Sequence, residues 1–84
     1  MSHELKTLPE FFQAIWVGDK TFEIRLDDRN FKERDEVVLQ EFDPEGDGGY
    51  TGREIEGVIT YLTSFSQKKN YVVFSIRVTF MREG

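Results

Sequence analysis

Cysteine is absent from this 84-residue chain and histidine occurs once, at His3, so disulfides and thiolate chemistry are excluded and a zinc site would need carboxylates almost exclusively. A structural metal is discounted on that ground, and nothing in the sequence calls for a cofactor. Apolar runs of membrane-spanning length are also missing, as is a basic-then-apolar leader, so nothing directs the chain into or across a bilayer and a cytoplasmic location is expected. Positive charge is in deficit. A formal net charge of -5 argues against a protein that coats nucleic acid through electrostatics alone, because such binding scales with the number of phosphates neutralised.

What is present is aromatic. Eight Phe, three Tyr and one Trp can fill a small core with large rings. The length fits a single domain over residues 1–84 that buries about 60 to 65% of its unfolded surface. Charge is distributed unevenly: residues 41–56 hold Glu41, Asp43, Glu45, Asp47, Glu54 and Glu56 against Arg53, whereas residues 57–84 hold Lys68, Lys69, Arg77 and Arg82 against Glu83. Such asymmetry permits a local anion site on an acidic protein, although a charge run is more often a solvated face.

Thr7-Leu8-Pro9-Glu10 has the form of a helix start, with Thr7 as N-cap, Glu10 as its capping-box partner and Pro9 in the first turn. Leu8, Phe11, Phe12, Ile15 and Trp16 then recur at helical spacing as one apolar stripe, and Gly18 supplies a left-handed terminus. Strands are expected at 21–26, at 36–42 around Val37-Val38-Leu39, at 53–63, and from Val72 to Phe80, where apolar residues alternate without a break. Gly57 marks a bulge at which the facing of its strand changes. Gly46-Asp47-Gly48-Gly49 reads as a mobile loop, and it lacks the Lys-Ser/Thr continuation and following helix of a phosphate-binding P-loop. The class is therefore α+β: a curved or barrel-like β-sheet closed by one early helix. Leu8, Phe11, Phe12, Ile15, Trp16, Phe22, Ile24, Val38, Phe74 and Ile76 are expected to meet in its core.

The stretch from Gly18 to Arg25 carries the clearest chemistry. On a strand, Phe22, Ile24 and Leu26 take one face while Thr21, Glu23 and Arg25 take the other, and Lys20 reaches round from the turn. Glu23 and Arg25 lie about 7 Å apart at a rise of about 3.3 Å per residue, a spacing that suits a shared ligand or a mutual ion pair. Spacing alone equally describes a solvated strand face with a surface salt bridge.

Gly18-x-Lys20-x-x-Glu23-x-Arg25 resembles the signature of the ASCH domains, which belong to the PUA-like superfamily of small β-barrels. His3-Glu4-Leu5-Lys6, Asn30-Phe31 after Asp28-Arg29, and Tyr50-Thr51-Gly52-Arg53 extend the resemblance over nearly the whole chain, to a short ASCH-related family of unassigned function common in bacteria and their phages. The resemblance implies a PUA-like pseudobarrel with the signature lining a cleft beside the helix, and RNA or nucleotide-like ligands. Lys20 and Arg25 would be the phosphate or base contacts, with Glu23 pairing with Arg25 or accepting a base amino group. Arg53 and Asp28 form a second tier, Tyr50 offers a ring for stacking, and His3 or Lys6 approaches from the first segment. One departure stands out: Arg34-Asp35 occupies the place of an expected Gly-Asp, so any positive φ there costs about 1 kcal/mol.

Three functions compete. The leading expectation is a noncatalytic module for RNA or a nucleotide-like small molecule. A second is an amidohydrolase acting on acetylated cytidine, in which the signature lysine of ASCH-like relatives works with a threonine three residues on; that position holds Glu23 here, so the nucleophile does not carry over. A third is a phage or host-takeover protein binding a protein partner through the acidic face of residues 41–56.

Overall fold

The computed structural model describes residues 1–46 and 48–84. Along the chain run β1 (Ser2–Thr7), α1 (Pro9–Trp16), β2 (Phe22–Leu26), β3 (Glu36–Asp43), β4 (Gly49–Thr63) and β5 (Tyr71–Arg82). The strands form one mixed sheet in the order β1-β3-β4-β5-β2, with β1 parallel to β3 and the other pairs antiparallel. A parallel pair needs a long crossover, and α1 and β2 lie within it. β1 and β2 end up as opposite edges of the sheet, yet Arg25 Nη2 donates to Thr7 Oγ1 at 3.1 Å and Arg29 Nη1 donates to the Glu4 carbonyl at 2.6 Å. Edges that reach each other through side chains mean that the sheet is curled into a half-barrel, with α1 packed on β3.

Inside the curl, Phe12 and Ile15 from the helix meet Leu5, Val37, Leu39, Ile55, Ile59, Val72, Phe74 and Ile76 from the strands, with Phe31 from the loop before β3. Trp16 packs partly buried against this cluster and stacks with Phe12 at 5.8 Å between ring centroids. Burial of a ring the size of Phe12, which retains no exposed surface, contributes about 1.5 to 3 kcal/mol from apolar transfer. Gly18 has φ +87°, and its amide donates to the Ile15 carbonyl at 3.1 Å, ending the helix as its sequence implies. Arg34 takes φ +78° where a glycine was expected, and its amide holds the Ile59 carbonyl at 2.7 Å.

Several expectations need correction. β1 was not anticipated: it has only six residues, and its inward positions include two polar ones, His3 and Thr7. Thr7 is not the helix N-cap. Pairing β1 with β3 places Thr7 opposite Glu41, its hydroxyl donates to the Leu5 carbonyl at 3.1 Å, and Leu8 stands at the cap position without a side-chain cap bond. Leu8 and Phe11 lie outside the core, because an eight-residue helix laid on one strand buries only the Phe12 and Ile15 side of its broad apolar stripe.

The largest reversal is in β2. Phe22, Ile24 and Leu26 are 41%, 53% and 47% exposed, while Glu23 is buried at 3%. As an edge strand hydrogen-bonded only to β5, β2 turns its polar face toward the inside of the half-barrel, where cationic partners compensate the carboxylate. Val38 is half-buried, with Val37 and Leu39 taking the core positions. At Gly57 the ladder to β5 does shift register, and an added Cβ would sit 2.9 Å from the Arg77 carbonyl oxygen. The facing does not change there, since Ile55, Gly57 and Ile59 all point inward. β4 begins at Gly49, earlier than expected, and Asp47 of the anticipated mobile loop lies outside the described residues.

Candidate functional site

Lys20 follows the helix-ending glycine, Glu23 and Arg25 share the inner face of β2, and Thr7 closes β1 opposite them. The four converge. Lys20 Nζ donates to Glu23 Oε2 at 2.5 Å, Arg25 Nε donates to Glu23 Oε1 at 3.0 Å, and Arg25 Nη2 spans to Thr7 at 3.1 Å. A carboxylate taken so far out of water costs several kcal/mol unless it is paired, and here two cations repay that cost. Two cations on one carboxylate leave a surplus positive charge at the foot of the cleft.

That cleft has a volume of about 360 Å³ and runs between β1, the start of α1 and β2. Its floor is polar and its walls are the apolar side chains that fail to reach the core: Leu8, Phe11, Phe22 and Ile24. The Lys20 ammonium lies 5.5 Å from the Phe11 ring and 5.1 Å from the Phe22 ring, between two aromatic faces. Lys6 also lines the cleft, so three cations face one carboxylate on a chain whose overall charge is -5.

The remaining residues singled out from sequence do not join this group. Arg53 grips Glu41 on β3 in a two-pronged pair, Nε to Oε1 at 2.9 Å and Nη2 to Oε2 at 3.0 Å. Its guanidinium carbon sits 5.0 Å from the Phe12 ring and 4.8 Å from the Trp16 ring, and Nη2 also donates to Gln13 Oε1. The hydrogen bonds from Arg53, which outweigh burial, hold the Glu41 carboxyl below its ordinary pKa, with Thr51 adding to the effect. Arg53 is raised in turn, chiefly by its bond to Glu41. Arg53 thus joins helix to sheet, with most of its side chain buried against Glu41, Phe12 and Trp16.

Asp28 is exposed and meets Arg29 at 3.8 Å, away from the cleft. Tyr50 is exposed and packs edge-on against Phe42 at 5.1 Å, beside a separate hollow that also holds Lys6 and Arg29. His3 borders that hollow but is buried, donating from Nε2 to Asp35 Oδ2 at 2.8 Å. The bond from His3 pulls the Asp35 carboxyl below its ordinary pKa against the opposing effect of burial.

The acidic run is also less of a face than its composition implies: Glu41 is buried under Arg53, and Glu54 and Glu56 both reach Arg82, at 3.6 and 3.9 Å. Sequence reasoning passed over Thr7 and the exposed walls Phe11 and Phe22 as cleft residues. The available signal was the alternation His3-Leu5-Thr7, which fits a strand directed toward the same interior.

Among the described residues, no helix is long and apolar enough to cross a membrane. Residues 2–76 match a family model described as Domain of unknown function (DUF3850). The chain is also similar to a protein of Escherichia phage P2, described as an uncharacterized 12.9 kDa protein in the GpA 3′ region. The two are 36% identical over 64 residues, which cover 76% of this chain and 56% of that relative. The chain therefore spans little more than half the length of the phage protein. A small family of unassigned function with a phage relative agrees with the sequence reading at that level. With three quarters of its length or more inside the matched region, the chain belongs to the DUF3850 family.

Proposed function

We propose that this protein is a noncatalytic binding module for RNA or a nucleotide-like small molecule, held in the cleft of Lys20, Glu23 and Arg25 on a PUA-like pseudobarrel of the ASCH type. The observation that carries the reading is the pairing of a cationic floor with aromatic walls. Lys20, Arg25 and Lys6 offer charge-assisted donors to a phosphate or base edge, and exposed Phe11 and Phe22 offer surfaces on which a base stacks. The Gly-x-Lys-x-x-Glu-x-Arg resemblance and the curved sheet with one early helix support the same assignment.

The hydrolase alternative draws less support from this geometry. The hydroxyl in the cleft belongs to Thr7, which donates to the Leu5 carbonyl and accepts from Arg25. A nucleophilic hydroxyl needs a base to take its proton, but the Thr7 proton is directed at a backbone carbonyl, which cannot serve as one, and Arg25 occupies a lone pair of the oxygen. Incubation with N4-acetylcytidine is expected to release no cytidine on the timescale of ordinary enzymes, about 1 per second. Turnover abolished by Lys20→Ala would replace the binding reading with the hydrolytic one.

Binding is tested by titrating the 15N-labelled protein with the four ribonucleoside monophosphates and following its amide resonances. Shifts centred on Lys20, Glu23 and Arg25, weakened by Arg25→Lys, are the expected result, because lysine keeps the charge but loses the planar fork. Unperturbed resonances with millimolar mononucleotide and with short RNA would remove the proposal.

A further inference from the structure

Lys6 borders two hollows. One is the cleft just described; the other, of about 570 Å³, lies on the far side of Lys6 and is bordered by Glu4, Arg29, Gln40 and Tyr50. The two share Lys6 and so adjoin at its side chain, near the end of β1. The second segment, like the first, sets cations beside an exposed ring. Its cations are Lys6 and Arg29, against the carboxylates of Glu4 and of Asp28, which meets Arg29 at 3.8 Å, and its exposed ring is Tyr50. That ring is braced edge-on by Phe42, and the Lys6 ammonium rests 4.3 Å from the centre of the same Phe42 ring, so cation and aromatic surface are set side by side. Arg29, in the loop after β2, meets Asp28 and donates to the Glu4 carbonyl at 2.6 Å, which holds it beside β1.

We infer that the groove takes a single-stranded oligonucleotide: one nucleotide occupies the Lys20 and Arg25 cleft, the connecting phosphate lies on Lys6, and the next nucleotide stacks on Tyr50 with Arg29 near its phosphate. This rests on the nucleotide reading of the first cleft and adds the substrate class, a chain rather than a mononucleotide. Cations alternating with rings are an arrangement that a polyanion with a π-face on every unit fits. The groove also accounts for the exposure of Tyr50. The Tyr50 ring, 58% exposed and braced by Phe42, is placed to receive a base.

The test is a length series of random-sequence RNA, from mononucleotide to hexanucleotide, titrated into the 15N-labelled protein at two or more salt concentrations. Affinity is expected to rise at least about tenfold between one and three nucleotides. The salt slope should steepen by about 0.7 for each added phosphate contact, and resonances of Lys6, Arg29 and Tyr50 should move only with the longer ligands. Tyr50→Ala should collapse the ratio of trinucleotide to mononucleotide affinity and Tyr50→Phe should preserve it, with thermal melting used to check that each variant folds. Arg29→Ala should flatten the added salt slope. A trinucleotide that binds no more tightly than a mononucleotide, or a length gain that survives Tyr50→Ala, would overturn the second segment while leaving the first cleft intact. Failure of every length to shift Lys20 and Arg25 would overturn both.

Discussion

Two buried glutamates, each gripped by an arginine and accompanied by a threonine, sit in one small sheet, and they do different things. Glu41 accepts from Arg53 and from the Thr51 hydroxyl; Glu23 accepts from Arg25 and Lys20, with Thr7 on the far side of Arg25. Around Glu41 the charges match one for one, and Arg53 lies against Phe12 and Trp16. Around Glu23 there is one cation too many, and the aromatic rings stand beside an open cleft. The same residue types make a clamp where aromatic packing occupies the arginine, and a receptor where the donors still face space.

The comparison can be broken by substitution, beginning with the clamp. Phe12→Ala, beneath Arg53, should cost about 3 to 5 kcal/mol in chemical denaturation; a loss below about 1 kcal/mol would show that this helix face is not the core face. Arg53→Ala should cost about 3 kcal/mol, since it strands a buried carboxylate, and a wild-type midpoint would mean that the clamp contributes nothing to stability.

Acid should act on this pair and on His3 with Asp35. Glu41 and Asp35 have folded-state pKa values lowered from their ordinary ones, so the stability they contribute is complete above the ordinary carboxylate range, about 4, and is lost as pH falls toward the lowered values. Denaturation midpoints measured at descending pH should decline through that window, and Glu41→Gln should make the decline shallower. An unchanged slope in Glu41→Gln would exclude Glu41 as a source of the pH dependence.

The smallest stability effects belong to the cleft. Phe22→Ala should change stability by less than about 1 kcal/mol, in the range of surface substitutions, and Arg25→Lys, which keeps a cation beside Glu23 but loses the bond to Thr7, by about 1 to 2 kcal/mol, while both weaken nucleotide binding. Losses as large as that of Phe12→Ala would place these residues in the core and dissolve the distinction.

Strands β3, β4 and β5 were legible from their apolar runs and alternation, β5 most clearly, although their order in the sheet was not. The helix was legible from its spacing and from Gly18. What the pattern misjudged was β2, because alternation identifies two faces without saying which one turns inward. The usual assumption sends Phe22 and Ile24 to the core, but the tertiary supply of Lys20, Arg25 and Thr7 makes the interior acceptable to Glu23. For the same reason the site was half legible: Lys20, Glu23 and Arg25 are close in sequence, whereas Thr7 joins them through a strand whose inward residues are partly polar. The distance of Arg53 from the cleft was not legible, because an arginine in a motif looks the same whether its partner is a ligand or Glu41.

The parallel pairing of β1 with β3 also bears on how the chain assembles. β3, β4 and β5 are neighbours along the sequence and can zip as a meander, but β1 must wait for a partner far downstream; its His3 and the Asp35 that receives it are 32 positions apart. The entropy of closing so long a loop is recovered only once the distant contacts form. By this argument Lys6 and Thr7 are expected to dock after the meander, as are Glu23 and Arg25, whose strand pairs across a still longer separation, so fraying of the first strand should open the cleft while the meander still stands.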